Sequence, residues 1–167
     1  MKIPELCDLL RKELFCGDYE YGFVLDGKKY RPDRSCGFDE EYYRCAKTVY
    51  RVQSPAVTVK EKIGTCVEAV LVMKSLLDAR NVASKIWLLY NTKKNKVHTV
   101  LTFEAEGKTV YLELTPQSSK PCYGKEIVYP DEQTFLQEYT ANHYEVSDVT
   151  DAIVIGQPPE FLLAKLK

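Results

Sequence analysis

The chain has few residues of several informative types and no excess of either charge. Its 167 residues include only two histidines and one tryptophan, and 23 basic residues stand against 24 acidic ones. This balance argues against a basic nucleic-acid surface, so nucleic acid is not expected as a partner. Apolar residues make up 45% of the chain and charged residues 28%, which is typical of a folded domain rather than a disordered chain.

Long apolar runs are also lacking. A helix that spans a bilayer needs roughly 18 consecutive apolar residues, and no segment of the sequence approaches that length. The first fifteen residues mix charges with their apolar positions and have no small-residue cleavage site, so no export signal is expected. These absences predict a cytoplasmic protein without a membrane partner, and they leave its oligomeric state open.

Cysteine is the one reactive residue type that is well represented. The six cysteines are Cys7, Cys16, Cys36, Cys45, Cys66 and Cys122. Without an export signal we expect reduced thiols rather than three disulfides. The wide spacing of the first four disfavours a structural zinc site, whose ligands usually come in pairs about two to four residues apart. Zinc therefore remains a lesser alternative, and no metal or cofactor is expected.

Hydrophobic periodicity predicts helices over 2–15, 39–50 and 65–79, the last of them largely buried. Asp26-Gly27 suits a two-residue hairpin turn. Ser54-Pro55 is interpreted as a break in the chain. We expect a single domain over 1–167, with an N-terminal helical and hairpin part over 1–52 and a core with a C-terminal extension over 53–167.

Strands are predicted where apolar residues run together or alternate. A continuous apolar run over 86–90 predicts a central strand, and two alternating segments, 97–103 and 108–114, predict antiparallel strands joined by a short connection. The remaining predictions are an edge strand over 123–129, a helix over 131–139, a last strand over 152–155 and a short helix after Pro158-Pro159. The fold class is α+β, with a central helix packed on an antiparallel sheet.

One cysteine stands where chemistry is possible. Cys66 follows Gly64-Thr65 at the predicted start of the buried helix. A helix N-terminus favours the thiolate, and its free amide groups can hold an oxyanion. The alternative is a small buried residue in the apolar stripe of the helix. The other candidates are His98 as general base and acid, and Glu113 as the group that orients His98.

The turn between the two alternating strands decides whether these candidates meet. A loop of two or four residues around Glu106-Gly107 places Phe103 opposite Val110. His98 and Glu113 are then diagonal neighbours on one face of the sheet. A three-residue loop with Gly107 in a bulge shifts the register by one and sends Glu113 to the other face. The sequence leaves both registers open.

These residues resemble the transglutaminase-like superfamily, which has a papain-like fold. The resemblance covers about residues 60–117. It rests on the Gly-Thr-Cys turn that opens a buried helix, on His98 in a following strand, and on an acidic residue near Thr115-Pro116. It implies Cys66 as nucleophile and His98 as base, with Glu113 in the place of the family's usual aspartate.

The family's upstream oxyanion helper has two candidates here, Gln53 and Tyr50, beside the backbone amide of Cys66 itself. The chain departs from the family in having Thr99-Val100 after its histidine. The expected function is cysteine-dependent acyl transfer or hydrolysis at an amide bond of a protein or peptide substrate. The alternative is a catalytically inactive transglutaminase-like domain that binds a protein partner.

Overall fold

A computed structural model describes residues 1–35 and 38–166. The helices are α1 (Ile3–Leu14), α2 (Glu40–Val49), α3 (Pro55–Glu61), α4 (Cys66–Asp78), α5 (Glu132–Ala141) and α6 (Glu160–Leu163). The strands are β1 (Glu20–Tyr21), β2 (Phe23–Leu25), β3 (Lys28–Tyr30), β4 (Ile63–Gly64), β5 (Ser84–Asn91), β6 (Lys96–Ala105), β7 (Lys108–Leu112), β8 (Glu126–Tyr129) and β9 (Tyr144–Asp148).

An antiparallel sheet of five strands, in the order β8-β7-β6-β5-β9, carries the fold. Helices cover both of its faces. The helices α1 and α4 pack on one face, where they share a core with residues such as Leu10, Met73, Leu101 and Phe103. On the other face Phe135 of α5 is fully buried among aromatic residues of the sheet. The α+β class and the antiparallel sheet predicted from the sequence are therefore confirmed.

The hairpin between β6 and β7 has the two-residue loop. Ala105 pairs with Lys108, and Phe103 pairs with Val110. Glu106 and Gly107 between them have φ values of 53° and 71°, as a two-residue turn of type I′ requires. The register with Phe103 opposite Val110 is thus confirmed, and the bulged alternative is wrong.

Two smaller sheets involve the N-terminal part, and one of them joins it to the core. The hairpin predicted at Asp26-Gly27 is present, because β2 and β3 pair antiparallel across that turn. The short strand β1 pairs in parallel with β4, which immediately precedes the start of α4. This ladder brings Tyr21 opposite Gly64, and so places the N-terminal segment beside Cys66.

Two predictions from the sequence are wrong. Residues 152–155 form turns and irregular structure rather than a strand, and Val154 and Ile155 are exposed. The strand at that edge of the sheet is β9 instead, paired antiparallel with β5. Ser54-Pro55 does not break the chain but begins α3. The Ser54 hydroxyl caps that helix, and proline is tolerated in a first turn because the N–H it lacks has no helical partner there.

The helices are short compared with the thickness of a membrane. Within residues 1–35 and 38–166, none of them is long and apolar enough to cross a bilayer.

Candidate active site

Cys66 is the first residue of α4, and the turn before it is built to hold it there. A side chain at Gly64 would bring its Cβ to 2.8 Å from the Cβ of Glu68, so only glycine fits so close to the helix. Thr65 is the N-cap, and its hydroxyl accepts the Val67 N–H at 3.2 Å. The Cys66 N–H has no acceptor within the helix, because it belongs to the first turn.

His98 and Glu113 are joined by a hydrogen bond between Nε2 of His98 and Oε1 of Glu113. Continuing the β6–β7 register beyond the end of β7 places Glu113 opposite Val100 and Thr115 opposite His98. The two side chains are diagonal neighbours, as the two-residue loop predicts. Glu113 is almost fully buried, and the His98 side chain is 18% exposed.

His98 also interacts with Cys66. Burial alone lowers the pKa of His98, but side-chain hydrogen bonds with Cys66 and Glu113, together with the negative charges of both, raise it from the ordinary 6.5 to about 9. An imidazolium beside a thiol stabilises the thiolate. The structure therefore brings the three residues predicted from the sequence into one cluster, in which Cys66 and His98 line the same groove and His98 is bonded to Glu113.

The carboxylate of Glu113 is held from several sides. Oε1 accepts the Tyr111 hydroxyl at 3.2 Å, and Oε2 accepts the hydroxyl of Thr115 at 3.0 Å and its N–H at 3.2 Å. Burial opposes the ionisation of Glu113, but the bonds with His98 and Thr115 outweigh it and lower the pKa of the carboxyl group. Glu113 is thus fixed as an anion in one orientation toward His98.

Tyr50 and Gln53 lie near Cys66, but their side chains are already engaged. Both hydrogens of the Gln53 amide nitrogen are used, one toward the Thr58 hydroxyl at 3.2 Å and one toward the Ile63 carbonyl at 3.0 Å. The Tyr50 hydroxyl donates to Oε2 of Glu68. Neither side chain has a free donor for an oxyanion in this structure, whereas the Cys66 N–H is free to donate.

Glu68 does more than cap the first turn of α4, which is the role that its position in the sequence indicates. It is fully buried and accepts hydrogen bonds from the Tyr50 hydroxyl, the Gln53 N–H, and both the N–H and hydroxyl of Thr65. Burial raises the pKa of Glu68, and those bonds counteract the rise. The Thr-x-x-Glu spacing of a capping box was visible in the sequence, but burial and the partners from residues 50–53 were not.

Two cavities meet at Cys66. The first, called here the apolar cavity, measures about 150 Å³ and is lined mainly by aromatic and leucine side chains, among them Tyr21, Phe23, Tyr42 and Leu162. The second, called the lysine groove, measures about 520 Å³ and passes His98, Lys47, Lys94 and Lys96. Cys66 lines both, so its side chain is reachable although the residue is only 9% exposed.

The other candidates lie outside this cluster. His143 is exposed in the turn after α5, away from this cluster. The described cysteines at positions 7, 16, 45, 66 and 122 are free thiols, and Cys36 lies outside the described residues. In the part of the chain that the structure describes, no group of three histidine, cysteine or acidic side chains is arranged to hold a metal ion.

Comparisons with family models, with curated proteins and with solved structures found no match to this chain.

Proposed function

We propose that this protein catalyses acyl transfer or hydrolysis at an amide bond of a protein or peptide, on a transglutaminase-like core of papain-like fold. The observation that carries the proposal is the series Cys66, His98, Glu113 at the N-terminus of α4. A nucleophile, a base within hydrogen-bonding reach of it, and a buried group that orients the base are the parts that covalent catalysis requires. The position of Cys66 at the junction of two cavities supports access by a substrate.

The arrangement suggests a definite course for the protons. Nε2 of His98 is bonded to Glu113, so Nδ1 is the ring nitrogen left to exchange a proton with the thiol of Cys66. The sulfur attacks the amide carbonyl carbon and a C–S bond forms. The carbonyl oxygen becomes an oxyanion, and the Cys66 N–H is the donor available to it.

The intermediate then collapses with cleavage of the C–N bond. His98 gives its proton to the departing amine, and a thioester remains on Cys66. Water attacking the thioester gives hydrolysis, and a primary amine gives transamidation. In either case the C–S bond breaks, and the proton of the incoming group returns through His98 to regenerate the resting pair. No cofactor enters this course.

The test compares the wild-type chain with Cys66→Ala on a mixed peptide library, with and without a dansylated primary amine. Mass spectrometry detects new peptide ends after hydrolysis and dansylated peptides after transamidation. We expect at least one of the two products with wild type and neither with Cys66→Ala. Cys16→Ala is the matched control, because Cys16 is exposed and lies in neither cavity, and it should keep full activity.

Equal product from wild type and Cys66→Ala would refute the proposal. Binding of a peptide without any turnover would instead favour the protein-binding alternative.

A further inference from the structure

The lysine groove is lined by several basic side chains and by no acidic one among the described residues. Lys47 of α2 and Lys94 and Lys96 near the β5–β6 turn line it, and no aspartate or glutamate is found among its described lining residues. All three lysines are exposed. Within residues 1–35 and 38–166, none of the three forms an ion pair or a side-chain hydrogen bond, although several other lysines do, such as Lys74 with Asp78.

Unpaired cations in a groove attract anions more strongly than the net charge of the chain suggests. The chain as a whole carries a charge of −1, so its surface gives no general attraction for acidic molecules. Walls of low dielectric constant concentrate the field of the lysines within the groove. The carboxylate of Glu113, which bonds the groove residue His98, is buried and its charge is offset by that partner, so it opposes the field of the lysines little.

The apolar cavity adjoins the lysine groove and adds a second requirement, because Cys66 and Lys47 line both. Its other walls are mainly Tyr21, Phe23, Tyr42, Tyr50 and leucines of the C-terminal segment, and its size of about 150 Å³ suits a single apolar side chain. A ligand that fills both cavities therefore presents an apolar group to the apolar cavity and negative charge to the lysines of the groove. A polypeptide with an apolar residue next to acidic residues has this character.

We infer that the substrate is an acidic polypeptide segment, and this inference rests on the proposed function. Its apolar side chain occupies the apolar cavity, and its aspartate or glutamate side chains lie along Lys47, Lys94 and Lys96. The amide that reacts lies between the two, over Cys66. The lysines thus select the substrate and take no part in the chemical step.

Binding is measured on the full chain with Cys66→Ser, so that no turnover interferes. The probes are three fluorescein-labelled peptide libraries of equal length with a fixed central leucine and flanking residues that are acidic, neutral or basic. Fluorescence polarisation at low salt should show the acidic library binding about tenfold more tightly than the neutral one, and the basic library most weakly. Added salt should reduce the preference.

The decisive variant reverses the three charges, with Lys47→Glu, Lys94→Glu and Lys96→Glu together, and should invert the order of the libraries. The milder Lys94→Gln/Lys96→Gln pair should reduce the acidic preference without inverting it. Circular dichroism is used to check that both variants fold.

The matched control reverses Lys12, Lys108 and Lys125 to glutamate. These lysines are exposed, line neither cavity and give the same change in net charge. This control should keep the preference for acidic peptides.

The inference would be overturned by equal affinity for the acidic and basic libraries, by loss of the preference in the control variant, or by equal binding when serine replaces the central leucine. Competition by a single-stranded oligothymidylate as effective as that by the acidic library would also overturn it. Equal turnover of acidic and basic peptides by wild type would refute this inference alone, whereas acidic binding without turnover would refute the proposed function alone.

Discussion

Nε2 of His98 is hydrogen-bonded to Oε1 of Glu113, and Glu113 is itself held by Tyr111 and Thr115. The bond fixes the plane of the imidazole and leaves its other nitrogen toward Cys66. It also couples the charges of the two groups, because each partner favours the ionised form of the other. The reactivity of Cys66 is therefore expected to depend on a carboxylate that is far from it in the sequence.

The first prediction concerns thiol alkylation. We expect iodoacetamide at pH 6.5 to modify Cys66 about tenfold faster than Cys16, because the His98 imidazolium stabilises the thiolate. Cys7 should be alkylated most slowly, because burial and, to a smaller extent, the charge of Glu126 raise its pKa to about 11. Mass spectrometry of peptides after timed labelling gives the rate for each site.

In the same experiment His98→Ala should remove the advantage of Cys66, and His143→Ala should leave it unchanged. Slow and equal labelling of all cysteines in the wild-type chain would contradict the prediction.

The second prediction concerns Glu113→Gln. The amide keeps the shape of the side chain but loses its charge, so the pKa of His98 should fall toward its ordinary value. The activity should fall by about tenfold to a hundredfold in kcat/KM. The measurement is an NMR titration of the imidazole signals, in which the exposed His143 serves as an internal reference.

Glu104→Gln is the matched control, because Glu104 is an exposed glutamate on β6 that bonds Thr109 rather than a histidine. If Glu104→Gln and Glu113→Gln moved the His98 titration equally, the coupling would not be specific.

The third prediction is a pH dependence of stability. His98 binds its proton more tightly in the folded chain, where its pKa is about 9, than in the unfolded chain, where it is near 6.5. Its contribution to the free energy of unfolding is therefore complete below about pH 6.5 and is lost as the pH rises through about 9. The difference sets a ceiling of about 3 kcal/mol on the loss.

Urea denaturation at a series of pH values from 6 to 10 measures the effect. His98→Gln should flatten the profile, and His143→Gln should not. Cys66→Ala, which removes one of the two side chains that raise the pKa of His98, should flatten it in part. A wild-type stability that rises over this range would contradict the sign.

The fourth prediction concerns the buried carboxyl group of Glu68. Glu68→Ala removes the acceptor of four hydrogen bonds and leaves the Tyr50 hydroxyl and the Gln53 N–H buried without it. We expect a loss of about 2 to 4 kcal/mol in the free energy of unfolding. Equilibrium denaturation monitored by circular dichroism checks this.

Glu40→Ala in the first turn of α2 is the comparison, because Glu40 is exposed and its ion pair with Arg44 is worth at most about 1 kcal/mol. Similar losses for Glu40→Ala and Glu68→Ala would mean that the buried hydrogen bonds of Glu68 add nothing to the free energy of unfolding.

Local signals predicted much of the fold. The helix expected over 65–79 is observed as Cys66–Asp78, and that over 39–50 as Glu40–Val49, because an apolar stripe and an N-cap residue are both readable from neighbouring positions. The strand expected over 152–155 failed because apolar residues there were taken as buried, whereas Val154 is 58% exposed. The edge strand β9 was missed because its pairing with β5 is not encoded locally.

The candidate residues were readable from local sequence patterns: a cysteine at the start of a buried helix, two histidines of which one lies in a predicted strand, and a glutamate in the next predicted strand. The sequence could not choose the register of the hairpin, because loops of two and three residues both accommodate Gly107. The contacts of the folded chain were needed to show that Glu113 meets His98, that Glu68 is buried against Tyr50, and that Lys47 lines one groove with Lys94 and Lys96. Each of these depends on contacts between segments far apart in the chain, which local periodicity does not record.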